Sequence, residues 1–312
     1  MSTLYLSHDA SLHHVTPPGH PERVDRIRAI EQAMAASRFD GLVREESPLA
    51  PLETALLAHP ENHVARVKNA SPQEGYTHVD ADTMMSRGTL EAAQRAMGAA
   101  VRAVDAVMTG EHHNAFCAMR PPGHHAEAER AMGFCFFSNA AIAALHAADK
   151  HGAERVAVID WDVHHGNGTQ DIFWARPHMF YGSIHQMPLY PGSGARNETG
   201  ADDAGNICNA PLAPGDARAA FEIALKDGIL PAMEAHKPDL IVISAGFDAH
   251  TRDPLANIDL VEGDFAWATT LLADAADRLC GGRVVSVLEG GYDLQGLAGS
   301  TAAHVSALMA AD

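Results

Sequence analysis

Short apolar, β-branched segments alternate along this chain with longer segments of helical spacing. The apolar segments are typical of buried parallel strands, which are covered on both faces and therefore lose the polar alternation. We predict strands over residues 3–7, 114–119, 155–159, 179–184, 239–244 and 283–288. Apolar residues three and four positions apart predict helices over residues 21–36, 86–108, 138–151, 214–236, 261–279 and 294–310.

Strands separated by helices predict an α/β fold, with a parallel sheet between two layers of helices. No Pro/Ser-rich linker and no break in composition divides the 312 residues. We therefore expect one domain over residues 1–312. The order of the strands in the sheet is not readable from this pattern.

Composition narrows the class of protein. The chain carries 22 Lys and Arg against 40 Asp and Glu, a net charge of -18, which argues against a nucleic-acid partner. Its four cysteines are scattered without a Cys-x-x-Cys pair, so neither a disulfide framework nor a thiolate metal site is indicated. There is no signal-peptide pattern and no apolar run of about 20 residues. We expect a cytoplasmic protein with no membrane partner, and self-association into a homo-oligomer stays open.

Polar loops follow four of the predicted strands, over residues 120–126, 160–168, 245–250 and 289–293. Because ligands of parallel sheets bind beyond the carboxyl ends of the strands, we expect these loops to assemble one site. Side chains alternate along a strand, so Asp160, Asp162 and His164 are expected to point the same way.

Asp162, His164 and Asp248 are candidate metal ligands. Two carboxylates and one imidazole suit a catalytic Zn²⁺ with an open coordination position, and Fe²⁺ or Co²⁺ also fits. The alternative for Asp162 and His164 is an ordinary hydrogen-bonded pair. An isolated Asp-x-His motif favours that alternative, whereas the further polar loops favour the metal site.

The tandem histidines His124 and His125 are candidates for general acid and base catalysis. Each needs an acceptor on its other ring nitrogen, and Asp160 and Asn167 are the natural partners, one per histidine. Tyr292, next to two glycines, is a candidate donor to a developing oxyanion. The alternatives are a solvated histidine pair and a tyrosine that merely packs at a strand end.

These motifs, taken together, resemble the zinc-dependent histone deacetylase family, in particular its class II branch and bacterial homologues. The resemblance covers nearly the whole chain. Five stretches carry it in the same order: Arg120-Pro-Pro-Gly-His-His-Ala126, Gly133-Phe-Cys-Phe-Phe137, Asp160-Trp-Asp-Val-His-His-Gly-Asn-Gly-Thr-Gln170, Ser244-Ala-Gly-Phe-Asp-Ala249 and Leu288-Glu-Gly-Gly-Tyr292. Asn167 points to class II, because class I members carry Asp at this position.

The resemblance implies an arginase/deacetylase-type fold, with a central parallel sheet of about eight strands and helices on both faces. It implies one catalytic zinc on Asp162, His164 and Asp248, and the acid–base pair His124 and His125. It further implies a structural potassium ion held by Asp160, Asp162, His164, Ser183 and Ile184. The residues implied to line an acyl-lysine tunnel are Gly133, Phe134, Tyr190 and Leu255, with Tyr190 in place of the usual Phe.

The activity implied is hydrolysis of the amide in acyl-lysine side chains or similar N-acyl amines, with His125 as the base and Tyr292 on the oxyanion. Leu255 follows Asp253-Pro254 where polyamine-selective relatives carry Glu, which favours acyl-lysine over the alternative, an acetylpolyamine amidohydrolase. A ureohydrolase is disfavoured, because the carboxylates that bridge its two metal ions are missing. A non-catalytic, metal-containing sensor of acyl ligands is a further alternative.

Overall fold

The computed structural model describes residues 2–311 and contains, within that range, a parallel sheet of eight strands. The strand order is β2-β1-β5-β10-β9-β6-β7-β8, and every neighbouring pair runs parallel. The strands of this sheet are β1 (Thr3–Ser7), β2 (Val43–Glu46), β5 (Asn114–Cys117), β6 (Val156–Asp160), β7 (Met179–Ser183), β8 (Ile207–Asn209), β9 (Leu240–Ala245) and β10 (Val284–Leu288). A small antiparallel pair, β3 (Thr77–His78) and β4 (Met84–Met85), lies outside it.

The two edge strands, β2 and β8, are absent from the sequence-based prediction. β2 reads Val-Arg-Glu-Glu and β8 has three residues, so neither forms the apolar run that marks the central strands. Short and charged strands are typical of sheet edges, where they discourage pairing with another chain. For the six strands between these edges, the predicted first and last residues lie within two residues of those observed.

Helices cover both faces of the sheet. They are α1 (Ala10–His13), α2 (Asp25–Met34), α3 (Glu61–Ala70), α4 (Thr89–Met108), α5 (Asn139–His151), α6 (Asn167–Phe173), α7 (Arg218–Ile223), α8 (Leu230–His236), α9 (Glu262–Cys280) and α10 (Leu294–Ala310). The helix predicted over residues 214–236 begins only at Arg218, and a π-helical segment, Ala224–Ile229, separates α7 from α8. α5 is capped after His151 by Gly152, whose φ of 69° is the left-handed conformation that glycine adopts most easily.

Alternation along the strands divides the core into two layers. In β6, Val156 and Val158 pack into the layer that contains α4 and α5, whereas Ala157 and Ile159 pack into the layer that contains α2, α9 and α10. This arrangement confirms the predicted fold class. None of the helices within residues 2–311 is long and apolar enough to cross a membrane.

Four strands that are neighbours in the sheet, β5, β10, β9 and β6, occupy its centre. The four polar loops follow these same strands. Their positions place the loops side by side at the carboxyl edge of the sheet, where ligands of parallel sheets bind.

Candidate active site

Three potential metal ligands converge at this edge. The ligand atoms of Asp162, His164 and Asp248 lie within 4.8 Å of one another, and all three side chains are buried. His164 Nδ1 lies 3.2 Å from Asp162 Oδ1 and 3.1 Å from Asp248 Oδ2. Asp162 and His164 come from the loop after β6, and Asp248 comes from the loop after the adjacent β9.

The reason for this convergence differs from the strand alternation expected from the sequence. β6 ends at Asp160, so Asp162 and His164 lie in the loop that follows it. Two successive side-chain turns shape this loop: Asp162 N donates to Asp160 Oδ1 at 3.0 Å, and His164 N donates to Asp162 Oδ1 at 2.9 Å. Asp favours such turns because its carboxylate accepts a hydrogen bond from the backbone N–H two residues later, in place of a backbone carbonyl.

Two glycines allow the backbone to approach these carboxylates. A Cβ at Gly290 would lie 2.2 Å from Asp248 Oδ2, and a Cβ at Gly246 would lie 2.2 Å from Asp162 Oδ2. Gly290 N also donates to Asp162 Oδ2 at 2.7 Å. Any larger residue at either position would displace a carboxylate, so the cluster depends on glycine in both loops.

The charges in this cluster are strongly coupled. Burial and the neighbouring Asp162 raise the pKa of Asp248 to about 7. Burial opposes the charge of His164, but hydrogen bonds to Asp162 and Asp248 outweigh it and raise the pKa of His164 to about 10. Two buried carboxylates beside one imidazole thus form a site that favours a cation.

His124 is held by Asp160. His124 Nδ1 lies 3.0 Å from Asp160 Oδ2, and the Tyr181 hydroxyl donates to that same oxygen at 2.9 Å. Burial opposes protonation of His124, but Asp162 and Asp160 outweigh it and raise the pKa of the imidazole well above its ordinary value. Asp160 and Asp162 therefore favour the protonated form of His124.

His125 has the opposite electrostatics. Its Nδ1 lies 2.8 Å from Asn167 Oδ1, and Asn167 Nδ2 in turn donates to Glu127 Oε1 at 2.7 Å. Burial, His124 and His164 lower the pKa of His125 well below its ordinary value. With Nδ1 donating to the amide oxygen, Nε2 of the neutral ring is a free acceptor.

A narrow pocket of about 230 Å³ leads to these groups. The Phe134 and Tyr292 rings are 6.0 Å apart between centroids, and the Tyr190 ring lies 5.2 Å from that of His125. A Cβ at Gly133 would lie 2.4 Å from the His125 ring, so this wall needs glycine. The residues lining the pocket are Asp82, His125, Gly133, Phe134, His164, Leu189, Tyr190, Leu255 and Tyr292.

Comparison with known proteins agrees with this arrangement. The family model described as the histone deacetylase domain matches residues 20–308. The chain belongs to the histone deacetylase family. A histone deacetylase-like amidohydrolase from Pseudomonas aeruginosa is 41% identical over 284 residues, which cover 89% of this chain and 74% of that relative. A probable deacetylase from Archaeoglobus fulgidus is 38% identical over 314 residues, which cover 99% of this chain and 87% of that relative.

The fold comparison points to the same family. The crystal structure of the HDA15 HD domain matches with a TM-score of 0.94 and 35% sequence identity, and covers 99% of this chain and 88% of that one. Membership of this family supports deacetylase or amidohydrolase activity. The class of reaction expected from the sequence motifs is confirmed at this level.

Sequence reasoning assigned no role to Glu289, which supports the loop that carries both histidines. Glu289 Oε2 accepts hydrogen bonds from Gly123 N at 2.7 Å and His124 N at 3.1 Å, and Oε1 accepts one from Ser244 Oγ at 3.1 Å. Burial raises the pKa of Glu289 to about 7. Its position directly after a buried strand and before two glycines was the available signal.

Arg26 and Asp253 support the Tyr292 loop of this deacetylase-family chain, and neither was predicted to do so. Arg26 Nε donates to the Gly291 carbonyl at 2.6 Å, and its guanidinium lies 5.1 Å from the Tyr292 ring centroid. Asp253 Oδ2 accepts from Tyr292 N at 2.7 Å. Arg26 lies on α2, more than 260 residues before the loop it contacts, and no local pattern marks it.

Ser183 and Ile184, the remaining predicted ligands of potassium, lie beside Asp160 at the end of β7. Ile184 N donates to the Asp160 carbonyl at 2.9 Å, and Ser183 Oγ lies 2.9 Å from His185 Nδ1. The structure thus brings both residues to the same strand ends as Asp160, whereas their role toward potassium stays a prediction.

Proposed function

We propose that this protein is a zinc-dependent deacetylase that removes acetyl or other short acyl groups from acyl-lysine side chains or similar N-acyl amines. One observation carries the proposal. Three buried side chains that could hold a metal ion include His164, which lines a pocket with aromatic walls, and two histidines near that pocket have pKa values shifted in opposite directions.

The donor set fits zinc. Asp162 and Asp248 supply oxygens, His164 supplies Nδ1, and Zn²⁺ is commonly held by three such ligands with one position left open. Among the residues described, no Lys or Arg forms a salt bridge with either carboxylate. Bound there, zinc would supply Lewis-acid polarisation of the amide carbonyl and a lowered pKa for an attacking water.

His125 is the proposed general base. Its lowered pKa keeps the ring neutral, Asn167 holds the proton on Nδ1, and Nε2 is free to accept a proton from the attacking water. The imidazolium formed then donates that proton to the leaving amine. His124, whose protonated form Asp160 and Asp162 favour, lies with its ring centroid 4.0 Å from that of His125 and would add positive charge there.

Tyr292 is the proposed oxyanion donor. Burial raises the pKa of its hydroxyl well above the ordinary value, so the proton needed for donation is retained. The ring lines the same pocket as His125 and His164. A tyrosine hydroxyl placed there stabilises charge that appears only in the transition state.

The pocket favours a linear substrate. Phe134, Tyr190 and Leu255 offer walls for a methylene chain, and the apolar Leu255 offers no partner for a distant ammonium, so Asp82 is the one carboxylate among the described residues that line the pocket. Leu255 is the feature that favours acyl-lysine over an acetylpolyamine as the proposed substrate. We also propose a structural potassium ion near Asp160, with Asp162, His164, Ser183 and Ile184 as the remaining ligands.

The test is turnover by the zinc-loaded protein of a panel that contains acetyl-lysine peptides, longer acyl-lysines and acetylpolyamines. We expect acyl-lysine turnover that His125→Ala abolishes while zinc content is retained, with exposed His178→Ala as the control. Faster turnover of acetylpolyamines would support the alternative substrate class. Tight binding of a hydroxamate with no turnover of any amide would favour a sensor, and hydrolysis of a guanidine by a protein with two metal ions in this site would favour a ureohydrolase.

A further inference from the structure

A second convergence of potential metal ligands lies between α4 and α5. Asp105 belongs to α4, and His146 and His151 belong to α5. Both imidazoles direct Nε2 at one carboxylate oxygen: His146 Nε2 lies 2.8 Å and His151 Nε2 lies 2.7 Å from Asp105 Oδ1. The two rings are 5.8 Å apart between centroids, so one small ion can contact both rings and the carboxylate.

This cluster lies at the opposite edge of the sheet from the candidate active site. Asp105 is in the last turn of α4, shortly before β5 begins at Asn114. His151 is the last residue of α5, and β6 begins at Val156. Both helices therefore end near the amino-terminal edge of the sheet, whereas the active-site loops leave its carboxyl edge.

We propose that Asp105, His146 and His151 bind one divalent transition-metal ion, such as Zn²⁺, that links α4 to α5. Two imidazole nitrogens and one carboxylate oxygen form a donor set that suits Zn²⁺, Co²⁺ and Ni²⁺ and disfavours Mg²⁺ and Ca²⁺. The three groups come from two helices that pack side by side, so their positions are largely established before the ion binds.

The distances are compatible with an ion after a small movement. Ligands at about 2.0–2.1 Å in a tetrahedral site lie about 3.3 Å from one another. The nitrogen–oxygen distances of 2.8 and 2.7 Å therefore need to open by about half an ångström. The side chains are partly exposed, 17% and 15% for the histidines and 43% for Asp105, so they have room to move and water can complete the coordination.

A neighbouring cluster shows what distinguishes this one. Glu45, Glu111 and His112 also bring ligand atoms together, but Arg102 already donates to both of those carboxylates at 2.8–2.9 Å. A fixed guanidinium neutralises that site and repels a second cation. In the structure described, Asp105 has salt bridges with the two histidines and with no Lys or Arg.

The experiment is a calorimetric titration of Zn²⁺ into the metal-free full chain and into His146→Ala, His151→Ala and Asp149→Ala. Asp149→Ala is the matched control, because it removes an exposed carboxylate from the same helix outside the cluster. We expect one specific binding event to be lost in both histidine variants and kept in the control. We also expect the zinc-induced rise in Tm to be several degrees smaller in the two histidine variants than in the wild type and in Asp149→Ala.

Each outcome separates this proposal from the proposed catalytic zinc. Loss of one event in His151→Ala with a second event retained supports both sites. Loss of the only event in that variant supports the helix-linking site and contradicts the catalytic one. Unchanged stoichiometry and unchanged zinc-dependent Tm in both histidine variants would overturn the helix-linking site, as would an equal loss in Asp149→Ala.

Discussion

Replacing Asn167 by Asp would place a second carboxylate next to that of Glu127, in contact with the His125 ring. Asn167 bridges two groups: its Oδ1 lies 2.8 Å from His125 Nδ1, and its Nδ2 donates to Glu127 Oε1 at 2.7 Å. In the Asp variant the first contact survives and strengthens, whereas the donor to Glu127 becomes an acceptor. The substitution therefore alters the charge next to His125 and creates a repulsive pair at the same time.

The magnitude follows from the distance. Two unit charges 2.7 Å apart repel by about 6 kcal/mol at an effective dielectric constant of 20. Protonation of one of the two carboxylates would remove the repulsion. At pH 7, protonating a carboxylate of ordinary pKa near 4 costs about 4 kcal/mol, which is less than the repulsion. Proton uptake is the cheaper route, so we expect Asn167→Asp to lower the free energy of unfolding by about 2–4 kcal/mol.

The assay is a double-mutant cycle with Glu127→Gln, read by urea unfolding. Gln restores a donor opposite the new carboxylate, so the double variant should recover most of the stability, with a coupling energy of at least about 2 kcal/mol. The new carboxylate should also raise the pKa of His125, so the acid limb of the kcat/KM profile should move to higher pH. An Asn167→Asp protein as stable as the wild type, or a cycle without coupling, would refute the bridging role of Asn167.

Three further predictions address other parts of the molecule. Asp248→Ala should abolish zinc binding at the candidate active site, and zinc retained there by elemental analysis and titration would exclude Asp248 as a ligand. Tyr292→Phe should lower kcat by on the order of 10²–10³ with little change in KM, and unchanged kcat would exclude the oxyanion role. His304, buried between Thr269 and Ser286, has its pKa lowered to about 3 by burial, so the unfolded chain binds more protons below pH 6.5 and stability falls as the pH decreases. His304→Gln should remove about 2 kcal/mol of the loss between pH 7 and pH 5, and an unchanged pH slope would contradict this assignment.

Much of the sheet could be predicted from the sequence, because its central strands are buried on both faces and therefore form apolar runs. β9 reads Leu-Ile-Val-Ile-Ser-Ala, a run whose apolar character admits few other interpretations. The edge strand β2 was inaccessible for the opposite reason, since its charged residues match those of an exposed loop. The π-helical segment before α8 was missed because it preserves the apolar spacing of a continuous helix.

The candidate site divides in the same way. The loops around Asp162 and Asp248 were marked by polar residues directly after apolar strands, a pattern visible without knowledge of neighbours. Side-chain turns beyond the end of β6 shape the loop that carries Asp162 and His164, whereas the shared direction of these side chains was predicted from strand alternation. The role of Arg26 was not predicted, because its contacts with the Tyr292 loop join it to residues more than 260 positions away.

The sequence by itself determined the type of each central element, the chemistry available at the loops and the family to which the chain belongs, since all three depend on local residue patterns. Only the tertiary structure decided that β6 and β9 are neighbours, which brings Asp248 within hydrogen-bonding distance of His164. It also decided which carboxylate faces which histidine and thus the opposite pKa shifts of His124 and His125. The physical reason is that burial and charge–charge distance depend on packing between segments that are distant in the chain.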